Sequence, residues 1–174
     1  MDDILSAIIG IAVAAILMFL FPLITMADRT DDVAQLAVKI ATSEFANDVI
    51  ATGKITSGRY DQLITSLGST GNTYNVTLEA KILDENISRY LQGDSRKIQN
   101  VQNAYYSVFT SQILDTIDND GVFYLKEGDI ISVDVKNENQ TIAQQLKNFF
   151  YTVIGKDTYI LAASSGGLVT VTGK

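Results

Sequence analysis

The stretch that decides the fold is residues 4–27, ILSAIIGIAVAAILMFLFPLITMA, which contains no charged residue. About 20 apolar residues suffice for a helix to cross the hydrocarbon core of a bilayer. A secretory signal peptide is the alternative, but it begins with a basic segment and has an apolar run of only about 7–15 residues. Here Asp2 and Asp3 precede a longer run. The sequence therefore predicts a retained helix that spans a membrane or lies in the core of an assembly.

Small residues and one proline mark special positions in this helix. Ser6, Gly10 and Ala14 recur every four residues, and such a spacing lets a second helix approach closely. We expect these three residues to contact another helix. Pro22 removes one backbone hydrogen bond and crowds the preceding turn. A kink or a locally melted turn is therefore expected there.

The helical pattern continues beyond the apolar run. One face is predicted to be apolar and the other solvated, because hydrophobic residues recur at near-helical spacing. The predicted apolar face consists of Val33, Leu36, Ala37, Ile40, Phe45 and Val49, and the solvated one of Asp28, Asp31, Asp32, Lys39, Glu44 and Asp48. Gly53 is the first strong stop signal, so one rod of about 70 Å is predicted from Ile4 to Thr52. Two helices separated by a break near Pro22 or Arg29 are the alternative.

The remainder, residues 53–174, is predicted to be one α+β head built on an antiparallel sheet. Alternating apolar and polar residues predict strands at 74–82 and 131–135. Further strands are predicted at 122–125, 159–161 and 168–171, with a hairpin turn at 164–167. Helices are predicted at 60–67, 101–117 and 141–153. No repeat or long linker divides the head.

Composition narrows the range of functions. The net charge of −7 opposes binding to nucleic acid, because that affinity comes from Lys and Arg neutralising phosphates. The chain has no Cys and no His, so thiol chemistry and the commonest general base and metal ligand are absent. We therefore expect a protein that is not an enzyme and needs no cofactor.

One group of acidic residues suggests a metal. Asp118 and Asp120 precede Gly121, and Glu127 follows six residues later. These residues occupy positions 3, 5 and 12 of an EF-hand calcium loop, but Thr116 stands at the first position, where the pattern has Asp. A turn between a helix and a strand explains the same residues without an ion.

Asn75, Asn86 and Asn139 each begin an N-glycosylation triplet, which would suit an exported head.

The acidic start, the uncharged helix with Pro22, the amphipathic continuation and the strand-rich head together resemble type IV pilins and the related Tad-type and pseudopilin subunits. The resemblance implies that the rod partly melts near the proline on assembly. It also implies that an acid near the N-terminus pairs with a neighbour's terminal amine. Asp2 and Asp3 are the acids available, since Leu5 stands where the family has Glu, and no basic leader with a cleavage glycine precedes the helix.

The function implied by this resemblance is that of a pilin. The chain would then be membrane-bound before assembly and would pair with copies of itself in a filament at the cell surface. The assembly residues would be Asp2, Asp3, Ser6, Gly10, Ala14 and Pro22. Two alternatives stay open: a membrane-anchored extracytoplasmic binding module whose helix is only a tether, and a minor pseudopilin of a secretion or conjugation machine.

Overall fold

A computed structural model describes residues 2–84, 105–139, 141, 145 and 161–174 of the chain. Its first element is one helix, α1, Asp2–Thr52, which continues through Pro22 and Arg29 without interruption. The alternative of two separate helices is therefore wrong. The melted turn expected at Pro22 is also absent from the single subunit, although the proline ring leaves one carbonyl without its helical donor.

The two halves of α1 have different surroundings. No side chain from Asp3 to Thr30 is buried, whereas residues 31–50 supply a buried stripe to the head. That stripe consists of Asp31, Ala34, Val38, Thr42, Phe45, Ala46 and Val49. One helix thus serves both as an uncovered rod and as part of the hydrophobic core.

This stripe corrects the predicted orientation of the amphipathic half. Val33, Leu36 and Ile40 were predicted to face the core, but they are exposed. Asp31 was predicted to be solvated, but it is buried and accepts a hydrogen bond from the Thr141 hydroxyl at 2.9 Å. The reason is steric, because the mostly smaller residues on the buried side let the sheet come closer to the helix axis than Leu and Ile would.

The head contains two short helices and six strands among the described residues. In chain order they are β1 (Lys54–Thr56), α2 (Ser57–Gly68), β2 (Tyr74–Leu83), β3 (Tyr105–Phe109), α3 (Thr110–Asp120), β4 (Val122–Tyr124), β5 (Ile130–Asn137) and β6 (Ala162–Leu168). β1 pairs with β4, and the main sheet has the order β3-β2-β5-β6. All neighbours are antiparallel. The α+β class with a long apolar N-terminal helix is confirmed.

The strand nearest to α1 is built from small residues. β6 reads AASSGGL, and a Cβ added to Gly167 would lie 3.0 Å from the Ile50 side chain. The predicted hairpin turn at 164–167 is therefore wrong, because these residues lie inside β6. Their small size, which suggested a turn, instead permits close packing of a strand against a helix.

Of the other predicted elements, one helix begins later than predicted, and one helix and one strand lie mostly outside the described residues. The helix predicted at 101–117 begins only at Thr110, because Tyr105 and Tyr106 belong to β3. Aromatic residues suit a strand as well as a helix, and pairing with β2 decides between them. The helix predicted at 141–153 lies mostly outside the described residues, as do positions 159 and 160 of the strand predicted at 159–161.

The junction between the rod and the head is closed by the chain's last residues. Gly53 ends α1 with φ of 66°, and its carbonyl accepts a hydrogen bond from the Leu125 amide at 2.7 Å. The Leu125 carbonyl in turn accepts from the Gly173 amide at 3.0 Å, and the Thr170 amide donates to the Ile50 carbonyl at 3.1 Å. The C-terminal segment therefore holds the end of α1 against β4.

Thr110 extends the pairing of β2 beyond the end of β3. Its hydroxyl accepts a hydrogen bond from the Leu78 amide at 2.7 Å and donates one to the Leu78 carbonyl at 3.2 Å. We expect Thr110→Val to lower the free energy of unfolding by about 1–3 kcal/mol, because a buried amide loses its partner. Thermal denaturation of the chain in detergent measures this loss. Thr77→Val, at an exposed position of the same strand, is the matched control and should change little.

Candidate assembly surface

The residues predicted to mediate assembly lie on the uncovered half of α1. Asp2 is the first residue of the helix. Ser6, Gly10 and Ala14 lie on one side of it, and both they and Pro22 are exposed. A Cβ added to Gly10 would meet no atom within 4 Å. The space that a partner helix needs is therefore open in the single subunit.

Large apolar side chains surround these small residues. The exposed ones between Ile4 and Met26 are Ile4, Leu5, Ile8, Ile9, Ile11, Val13, Ile16, Leu17, Met18, Phe19, Phe21, Leu23 and Met26. The helix is long and apolar enough to cross a membrane, and none of its most apolar window is buried inside the subunit. An exposed apolar surface of this extent indicates contact with a membrane or with another protein.

Three hydroxyl groups of this half are hydrogen-bonded within the helix. The Ser6 hydroxyl donates to the Asp3 carbonyl, the Thr25 hydroxyl to the Phe21 carbonyl and the Thr30 hydroxyl to the Met26 carbonyl, each at 3.0 Å. An unsatisfied polar group is costly in apolar surroundings. These three hydroxyls therefore suit a helix that is removed from water.

The apolar surface continues beyond membrane length. Val33, Leu36 and Ile40 form an exposed stripe, called here the outer stripe, with 69%, 58% and 48% of each residue's surface exposed. It faces away from the buried side of α1. The amphipathic half therefore has two apolar sides, of which the head covers one.

Arg29 lies where the uncovered half meets the outer stripe. It lines one surface groove of about 400 Å³ together with Phe21, Pro22 and Met26. It also lines a second groove of about 530 Å³ that passes Val33 and Ala37 and reaches Ser69 and Thr70 of the head. We call these two adjoining spaces the Arg29 groove.

The acidic residues predicted to bind calcium lie at the end of α3. Asp118 and Asp120 belong to its last turn, and Gly121 terminates the helix in the left-handed conformation with φ of 76°. The Glu127 backbone amide donates a hydrogen bond to the Thr172 hydroxyl at 3.2 Å. Within the described ranges, no three acidic side chains are grouped so that they could hold a metal ion. The helix-to-strand turn accounts for this segment.

Calcium should therefore leave the stability of the protein unchanged. We expect the same melting temperature for the full chain in detergent with millimolar calcium and with a chelator, because a ligand that binds the native state must stabilise it. A higher melting temperature in calcium than in chelator, with no such difference in the Asp118→Asn variant, would contradict this expectation.

The glycosylation triplets differ in their surroundings. Asn75 lies at an exposed position of β2. The Asn139 side chain is engaged, since its oxygen accepts from the Thr73 amide at 2.8 Å and its nitrogen donates to Asn72 at 3.3 Å. The triplet at 86–88 lies outside the described residues. Modification of these positions stays a prediction.

Another groove lies between α1 and α2. Its volume is about 480 Å³, and Glu44, Asp48 and Arg59 line it. Arg59 and Asp48 form an ion pair at 2.7 Å. Nearby, burial raises the pKa of the Tyr60 hydroxyl, and the Asp61 carboxylate adds to that rise. The raised pKa keeps this hydroxyl protonated near neutral pH.

The outer stripe was not predicted from the sequence. The positions of Val33, Leu36 and Ile40 carried the signal, but periodicity alone does not say which of two apolar sides a head will cover. Comparison of the chain with protein-family models, with curated proteins and with solved structures gives no match. The architecture and the chemistry of α1 are therefore the basis for assigning a function.

Proposed function

We propose that this protein is the structural subunit of a helical extracellular filament of the type IV or Tad-like kind. The observation that carries the proposal is the division of α1, whose first half is apolar and uncovered while its second half holds a packed head. Such a subunit joins copies of itself through the uncovered halves. Its role is mechanical, and we propose no catalytic activity and no cofactor.

The exposed apolar half of α1 must be shielded from water both before and after assembly. In the membrane, lipid surrounds the helix, which is long and apolar enough to span the bilayer. In the filament, the same surface packs against equivalent helices, and Ser6, Gly10 and Ala14 permit their close approach. The heads then lie on the outside of the filament. We therefore propose that the assembled protein lies at the cell surface and that the unassembled subunit lies in the cytoplasmic membrane.

A membrane-anchored binding module is the main alternative. A tether needs only a membrane-length apolar segment, and the chain beyond it gains nothing from exposed Val33, Leu36 and Ile40. Continuity of α1 from Asp2 to Thr52 also joins the head to the apolar half without a flexible linker, which suits a filament better than a tether. These two observations favour the filament.

The proposal is tested by shearing cells that express the chain. We expect the protein in the sheared, sedimentable fraction, and thin filaments in negative-stain electron micrographs that bind an antibody against the head. A protein that stays wholly with the membrane would contradict the proposal and favour the tether. Sparse labelling restricted to filament ends would instead indicate a minor pseudopilin.

A further inference from the structure

The Arg29 groove contains one of the two cations of α1. Arg29 is exposed and forms no ion pair within 4.0 Å in the part of the chain that the structure describes. Asp31, two residues away, is turned into the head and bonded to Thr141. Asp32 is exposed one turn further along. Among the residues that the structure describes, the Arg29 guanidinium therefore has no ion-pair partner.

We propose that the Arg29 groove receives the N-terminal end of α1 from a second copy of this chain, with Arg29 bound to that copy's Asp3 carboxylate. The proposal rests on the filament function proposed above and specifies its contact. Asp3 is an exposed acid directly before an apolar helix, and a carboxylate in apolar surroundings needs a partner. The planar guanidinium of arginine can bind a carboxylate through two hydrogen bonds.

The pairing fixes the register of two parallel helices. Asp3 and Arg29 are 26 positions apart, which corresponds to a shift of about 39 Å between copies at 1.5 Å per residue. In this register Gly10 of one copy faces Leu36 of the other, and Ala14 faces Ile40. Small residues thus lie opposite the large exposed residues of the outer stripe. The charge pair and the shape of the two helices favour the same shift.

Lys39 is the other exposed cation on α1, but pairing it with Asp3 of a second copy would give an unfavourable helix register. If Asp3 paired with Lys39, Ser6 would lie opposite Thr42 and Gly10 opposite Ala46. Both of those residues are fully buried beneath the head, so a second helix has no access to them. Lys39 therefore serves as the matched control for Arg29.

Charge exchange tests the ion pair. We expect Arg29→Glu and Asp3→Lys each to lower the yield of sheared filaments at least tenfold, and the double variant Asp3→Lys with Arg29→Glu to restore most of it. Lys39→Glu should leave the yield near that of the wild type. Single variants with wild-type yield would overturn the pairing while leaving the filament function intact. Absence of rescue would also overturn it and would indicate another anion at Arg29, such as a lipid phosphate.

Disulfide crosslinking tests the register, because the chain contains no native cysteine. Positions 10 and 36 of one helix are about 39 Å apart at 1.5 Å per residue, far beyond the reach of a disulfide. Gly10→Cys with Leu36→Cys should therefore give a ladder of covalent multimers on oxidation, while each single-cysteine variant stays monomeric. Gly10→Cys with Asn47→Cys, an exposed position near the Lys39 register, should give no ladder. A ladder only from Gly10→Cys with Asn47→Cys would overturn the proposal. So would the absence of a ladder from Gly10→Cys with Leu36→Cys.

Discussion

Gly10→Leu is expected to reduce the yield of sheared filaments more than tenfold while membrane insertion stays at the wild-type level. Gly10 has open space around it in the single subunit, so the leucine disturbs no contact within the chain. It instead occupies the space through which a second helix approaches. Membrane insertion is preserved because leucine is more apolar than glycine. The measurement compares the sheared fraction with the carbonate-resistant membrane fraction at matched expression.

Ala12→Leu is the control for this variant. Ala12 is exposed on the side of α1 opposite Gly10, so a comparable gain in bulk should have a much smaller effect. Normal filaments from Gly10→Leu would show that close helix packing at this position is unnecessary. That result would favour the tether.

Gly53→Ala is expected to lower the free energy of unfolding by about 3 kcal/mol, since it combines backbone strain with a clash. Gly53 has φ of 66°, which an alanine adopts only with strain. A Cβ there would lie 2.6 Å from the Gly173 amide nitrogen and closer still to the Val171 carbonyl oxygen. The C-terminal segment would have to leave the end of α1. Thermal unfolding in detergent, followed by circular dichroism, measures the loss.

Gly58→Ala provides a control with the same chemical change. Gly58 lies in α2, and a Cβ there would meet no atom within 4 Å. Alanine should stabilise the helix by up to about 1 kcal/mol, because glycine is the poorer helix former. Equal stability of the Gly53 and Gly58 variants would show that the junction with the C-terminal segment contributes little.

The sequence predicts the fold well where one pattern has one explanation. The apolar run and Gly53 give the bounds of α1 to within two residues, because length and a stop signal need no tertiary information. The alternation in β2 and β5 likewise identifies both strands. These elements are determined by local periodicity, which the sequence displays directly.

The errors arise where packing decides between two local explanations. Gly166 and Gly167 suit a turn, but they lie in β6 because the strand must pass close to α1 and β5. Val33, Leu36 and Ile40 suit a core face, but the head covers the opposite side of the helix. That second error concealed the outer stripe.

Helical reconstruction of the sheared material by electron cryomicroscopy tests the central claim most directly. The account predicts a core of parallel α1 helices with axes about 8–10 Å apart, as expected for packed helices, and with the heads on the outside. Residues 4–26 should lie in that core without lipid contact. Filaments joined through the heads, with residues 4–26 outside the contacts between subunits, would contradict the account.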